Sequence, residues 1–132
     1  MSVEIHIVEG PIGAEIGRAP ATADGTAGAV LVFDGAVRAL EDGKRLRGLE
    51  YEAYEPMASR ELKRLAEEVV AKHGLIGLAC WHSRGLVRVG GCSMRVVVRS
   101  GHRAAALAGM GEFIDRLKRD VPVWKRAVWA AD

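Results

Sequence analysis

The chain of 132 residues is long enough to bury a single core without disulfides or a structural metal, and two ordinary domains are excluded. Apolar residues at 49% and charged residues at 27% exclude a disordered chain. The longest apolar runs, such as residues 27–33, fall far short of the roughly 20 residues a bilayer span needs, and acidic Glu4 stands where a signal peptide would be basic, so a cytoplasmic protein that does not engage the membrane is expected.

Residues 2–8 alternate Val3, Ile5 and Ile7 with polar side chains, the period of a half-buried strand, and residues 11–18 read as a short helix. The small, polar, glycine-containing residues 19–28 read as a loop. Residues 28–38 form an apolar run closed by a charge, a buried strand; Glu41, Asp42, Gly43 and Lys44 supply turn chemistry before an alternating strand over residues 46–54, so the two strands are expected to pair as a hairpin.

Pro56 at a first helical position opens a segment in which Leu62, Leu65, Val69 and Val70 share one face, and Gly74 sits where a C-terminal cap belongs. Residues 75–82, 86–89 and 92–99 read as three further strands, punctuated by Gly85, Gly90 and Gly91. Ser100 is placed to cap the helix that follows, in which Leu107, Met110, Ile114 and Leu117 recur at intervals of three or four until Pro122 ends it. Strands and helices mix without a strict βαβ rhythm, which predicts one α+β domain over residues 1–132.

Cys80 and Cys92 are too few for a disulfide scaffold, and Cys80, flanked by Leu78, Ala79 and Trp81, reads as a small core hydrophobe. Cys80 and His82 alternate onto one strand face, but two ligands fall short of the three or four that zinc uses, so no metal and no cofactor is expected. Glu50 and Glu52 read as a solvated strand face. Seven Lys or Arg against three acids between Arg99 and Arg126 favour an anionic ligand there. Two Phe, two Tyr and the lack of any basic-aromatic motif argue against nucleic acid.

Several phrases together resemble one family: Gly28-Ala29-Val30 through Phe33-Asp34-Gly35-Ala36-Val37-Arg38, then Leu49-Glu50-Tyr51-Glu52-Ala53-Tyr54-Glu55-Pro56-Met57, then Gly101-His102-Arg103, and Asp115-Arg116-Leu117-Lys118 followed by Val121-Pro122-Val123-Trp124-Lys125. Over about residues 28–126 the chain is similar to the molybdopterin synthase large, catalytic subunit. The resemblance implies a hammerhead-like α/β domain with an additional small β subdomain, homodimerised at the centre of a heterotetramer with two small ubiquitin-like sulfur carriers. It implies that the carrier's C-terminal Gly-Gly thiocarboxylate enters a pocket and delivers sulfur to cyclic pyranopterin monophosphate, two transfers completing the dithiolene. It places catalytic lysines at Lys118 and Lys125 and substrate-binding residues at Arg38, His102 and Arg103. Relatives carry a longer tail that helps complete the pocket; this sequence ends soon after Trp129. The rival expectation is a non-catalytic, partner-binding homologue of the same fold.

Both reactants named by the resemblance are anions, so a pocket that joins them must offset their repulsion with fixed positive charge. A lysine crowded among cations and desolvated also releases its proton more readily, which would let Lys118 or Lys125 exchange protons with substrate; His102 titrates near neutrality without help. Pro122 lies between the two lysines and forces the chain to bend there. The bend is expected to bring Lys118, at a helix end, and Lys125, on a following strand, to one pocket, with Val123 and Trp124 anchoring the turn by burial. Residues 100–103 would offer free backbone N–H groups to a phosphate or carboxylate at the opposite helix end.

Overall fold

The structure, a computed structural model, describes residues 1–17 and 24–131. In chain order the elements are β1 (Ser2–Glu9), β2 (Ala29–Ala36), β3 (Leu40–Glu41), β4 (Lys44–Ala53), α1 (Met57–His73), β5 (Gly77–Arg88), β6 (Cys92–Ser100), α2 (Arg103–Asp120) and β7 (Val123–Trp129). The strands form a mixed sheet in the order β2-β6-β5-β4-β3, with β1 added to β5 and β7 to β4. The β1–β5 pair is parallel and the other pairs are antiparallel.

One strand carries two cores. Residues Gly77–His82 of β5 pair with β6, and residues up to Arg84 pair with β1; from Gly85 onward β5 pairs with β4. Gly85 has φ 84°, in the left-handed region that strains other residues, so the change of partner falls at a position that favours glycine. On the first half of β5, Leu78 and Cys80 face α1 and α2 together with Val96, Val98 and Met94, and the helices contribute Leu62, Leu65, Val69, Met110, Phe113 and Leu117. On the second half a separate small core forms from Val37, Leu46, Leu49 and Val87, with Tyr51 and Ala127 against it. This is the additional β subdomain that the resemblance implies, set on the mixed α/β body.

Several local expectations change in the folded chain. Over the described residues 11–17 the predicted short helix is a turn in which Ile16 N–H donates to Gly13 O at 3.1 Å; Arg18 and residues 19–23 of the predicted loop lie outside the described residues. The expected hairpin of residues 28–38 with 46–54 does not form. Its turn residues join β4 to two-residue β3, while β2 pairs along its length with β6, which comes later in the chain. The two strands foreseen at 75–82 and 86–89 are one strand passing through Gly85. Ser100 does not cap α2: it is fully buried, and its hydroxyl donates to the carbonyl of His102, which is itself the N-cap residue without a side-chain cap bond. Pro56 likewise stands one position before helix α1, whose C-cap Gly74 is left-handed at φ 64° as expected. On α2 the inward residues are Ala106, Gly109, Met110, Phe113 and Leu117; Leu107 is 59% exposed.

The two helices are also tied by charge. The Glu112 carboxylate accepts from Lys72 at 2.8 Å, His73 at 3.0 Å and Arg116 at 3.2 Å, and Arg116 reaches across to Glu68 at 2.6 Å. These bonds, Lys72 first, hold Glu112 down at about 2 against an ordinary 4.5. A carboxylate depressed in the folded state contributes stability that is complete above its unfolded value and lost as pH falls through its folded one. Urea midpoints followed from pH 4.5 down to pH 2 should therefore fall less in Glu112→Gln than in the wild type; parallel declines would show that the cluster adds nothing.

Candidate active site

The helix layer ends before the sheet does. Near the C-terminus of α2, around Leu117, the sheet row Gly35, Met94 and His82 runs from the edge of the larger core, to which Met94 belongs, into a cleft; these residues are in register across β2, β6 and β5 and so share one face. Beside this row stand β4 and β7, paired so that Tyr51 lies opposite Lys125. Floor and wall enclose a cleft of about 510 Å³ at the seam between the two cores, within the usual range for a small-molecule site.

Three cations from three elements line it: Arg38 after β2, Lys118 in the last turn of α2 and Lys125 on β7. Each follows or flanks a packed residue. Val37 belongs to the smaller core, Leu117 to the larger, and Lys125 lies on one face of β7 between Val123, packed on the larger core, and Ala127, packed on the smaller. Among the described residues none of the three has an acidic partner within ion-pair distance, whereas Arg95, Arg116 and Arg119 are committed to Asp34, Glu68 and Asp120. Asp34 and Glu41 also line the cleft; with Asp34 committed to Arg95, three cations face the one carboxylate of Glu41, and the balance is positive. All three side chains are exposed in the single chain, so the desolvation expected for the lysines requires a covering molecule.

The bend at Pro122 does bring Lys118 and Lys125 to one cleft, but burial of Trp124 is not what anchors it. Trp124 is 57% exposed at the cleft margin; Val121, Val123 and the bond from Tyr54 N–H to Pro122 O at 3.1 Å hold the turn. His102 and Arg103 do not reach the cleft. They open α2, and fifteen residues of helix rise separate Arg103 from Lys118, roughly 22 Å.

The floor contains polar residues that the charge pattern did not single out. Tyr51 OH donates to Ser93 Oγ at 3.0 Å, and Ser93 Oγ donates to Gly35 O at 3.3 Å. His82 is 5% exposed, stands edge-on to the Tyr51 ring with centroids 5.6 Å apart, and bonds through Nδ1 to Ser83 O at 2.8 Å. Burial lowers its imidazole below the ordinary value, the Ser83 carbonyl opposing. Two-residue alternation puts 80 and 82 on one face, but only the end of the helix layer makes the second a site residue and the first a core one. Cys80 is fully buried and its thiol is pushed up to about 12 by desolvation, the reverse of what a nucleophilic or metal-binding thiolate requires.

The family model described as MoaE protein matches residues 10–120. The chain belongs to that family. The human molybdopterin synthase catalytic subunit is 39% identical over 102 residues, 77% of this chain and 54% of that protein. The Bacillus subtilis protein of the same name is 40% identical over 103 residues, 78% of this chain and 66% of that one. This MoaE-family chain spans about half the length of the mammalian relatives it matches. Among solved structures, molybdopterin synthase from Staphylococcus aureus superposes with a TM-score of 0.85 at 35% identity, covering 96% of this chain and 92% of that one. A complex of subunits 1 and 2 of the Helicobacter pylori molybdopterin-converting factor gives 0.79 at 26% identity, covering 97% and 90%.

If the cleft of this MoaE-family chain is an anion site, inorganic phosphate titrated into it should shift the NMR signals of Lys118 and Lys125. Each lysine-to-alanine change should weaken binding about two- to fivefold, the range for exposed charge pairs, and added salt should weaken it further. Shifts confined to residues outside the cleft would disprove the assignment.

Proposed function

We propose that the chain is the catalytic subunit of a molybdopterin synthase, transferring sulfur from the C-terminal thiocarboxylate of a small ubiquitin-like carrier to cyclic pyranopterin monophosphate. The observation that carries this reading is the convergence of Arg38, Lys118 and Lys125 on one cleft in a member of the MoaE family. The substrate presents a cyclic phosphate that must open, and the carrier arrives as a thiocarboxylate and leaves as a carboxylate. Three fixed cations offset the repulsion between these anions and stabilise the charge that builds as each sulfur is passed on. Arg38 offers a planar fork suited to phosphate. Lys118 and Lys125, compact and mobile, are the groups we assign to catalysis; capping of the cleft by the carrier would desolvate them and ease proton exchange.

His102 and Arg103 fit this reading in a particular way. Lying roughly 22 Å of helix from Lys118, they serve the same substrate only if a second copy of the chain brings its own α2 N-terminus to the cleft. We therefore take the working form to be a homodimer in which each pocket is shared, flanked by two carriers. No described helix is long and apolar enough to cross a membrane, and the free thiols Cys80 and Cys92 suit the reducing cytoplasm, where we place the reaction.

Conversion of cyclic pyranopterin monophosphate by the full chain with a thiocarboxylated carrier tests the proposal. Lys118→Ala and Lys125→Ala should each lower the rate by about 10²-fold or more with carrier binding retained, the scale for losing a proton-transfer or charge-stabilising group. A wild type that binds the carrier but forms no product would instead support the non-catalytic homologue. Shared pockets make a second prediction: mixing Lys118→Ala with Arg103→Ala under subunit exchange should restore about one quarter of wild-type activity, because half the dimers are mixed and each of those has one intact site. Absence of rescue would remove Arg103 from the pocket that holds Lys118.

A further inference from the structure

The cleft's three cations account for the anionic parts of the proposed substrate and leave its heterocycle unaddressed. A pterin ring system carries N–H groups that need acceptors once they leave water. The Tyr51 hydroxyl donates to Ser93, and Ser93 donates to the Gly35 carbonyl, so both oxygens are already engaged in a chain within the floor, although each keeps acceptor capacity. His82 is different. Its Nδ1 is 2.8 Å from a backbone carbonyl, which accepts and cannot donate, so Nδ1 carries the ring proton. In the neutral ring Nε2 is then a bare acceptor, and among the described residues it has no hydrogen-bond partner. It is not sealed away: among the described residues Ser83 Oγ is the buried side-chain polar atom left unsatisfied, and His82 lines the cleft.

The surroundings suit a flat, uncharged group. Met94 is the cross-strand neighbour of His82, Phe33 and Leu117 line the same cleft, the Tyr51 ring stands edge-on to the imidazole, and the three cations are exposed. We propose that His82 Nε2 is the recognition acceptor of this site, taking a hydrogen bond from an N–H of the substrate's pterin ring system. The inference rests on the substrate class given above. A role as general base fits less well, because a buried imidazole whose proton affinity is lowered is a poor proton acceptor at neutral pH. A purely structural role is already met by the Nδ1 bond to Ser83 and leaves the cleft-facing nitrogen unused.

Nitrogen-15 NMR of the full chain labelled at histidine, titrated with cyclic pyranopterin monophosphate without the carrier, reads this bond directly. The His82 Nε2 resonance should move upfield from the bare-nitrogen position while Nδ1 stays in place. In the complete reaction, His82→Phe should raise KM about tenfold with kcat changed less than about twofold, and His82→Gln, which returns a carbonyl oxygen near the Nε2 position, should recover most of the loss. An unmoved Nε2 signal in wild type that turns substrate over, or an unchanged KM in a folded His82→Phe, overturns the inference and leaves the proposed function standing. A wild type that neither binds nor converts the pterin overturns both.

Discussion

Continuity of β5 through Gly85 is the constraint on which the site depends. Before Gly85 the strand is roofed by two helices and flanked by β1 and β6; after it the same strand carries β4 and, through β4, β7. The two cores are therefore fixed relative to one another by a covalent strand rather than by a flexible link. The gap between helix roof and second core is consequently a built feature. Each cation of the cleft lies within two residues of one packed in one core or the other, so the backbone that carries the lysines and Arg38 is tied to the cores.

Charge is sorted by the same geometry. The basic excess over residues 99–126 suggested one positive region, but much of it is absorbed locally: Arg116 braces α2 against α1, Arg119 pairs with its neighbour Asp120, and Arg99 donates to Ser2. Arg95 is neutralised by Asp34 while also donating to the carbonyls of Gly13 and Ile16, which fastens the segment after β1 across the sheet face away from the helices. Of the stretch 99–126, Arg103, Lys118, Lys125 and Arg126 have no acidic partner within ion-pair distance among the described residues, and Lys118 and Lys125 are the two that line the cleft. Proximity to acids in three dimensions, which a linear count cannot see, decides which arginines are structural.

Elements whose signals are local were legible in the sequence. Gly74 ends α1 because a left-handed cap suits glycine, and the 3.6-residue spacing of Leu62, Leu65, Val69 and Val70 is decisive because their neighbours are polar. The same rule found α2 and its buried Met110 and Leu117 but also took exposed Leu107 and passed over buried Phe113, because Ala and Gly dilute the period there and packing against the sheet decides the inward face. The β2–β4 hairpin failed for a related reason. Turn chemistry at Glu41–Lys44 is real, but it specifies only the two β3–β4 pairs nearest it, and the choice of β6 as partner for β2 is made by a surface assembled from distant segments. Lys118, Lys125 and Arg38 were reached through family resemblance, and their convergence depends on that long-range assembly.

The placement of His102 and Arg103 extends this argument beyond one chain. A helix of 18 residues cannot present both its ends to a single ligand, so residues at its N-terminus and C-terminus that belong to one reaction must come from two helices. A closed two-fold arrangement satisfies this with one contact repeated twice, each α2 giving its C-terminal lysine to one pocket and its N-terminal cation to the other. Such a pocket would be covered on assembly, which is the condition the exposed lysines need for desolvation and which the isolated chain does not provide. On the proposed reading, the incompleteness of the single-chain cleft is the feature that would couple assembly to chemistry.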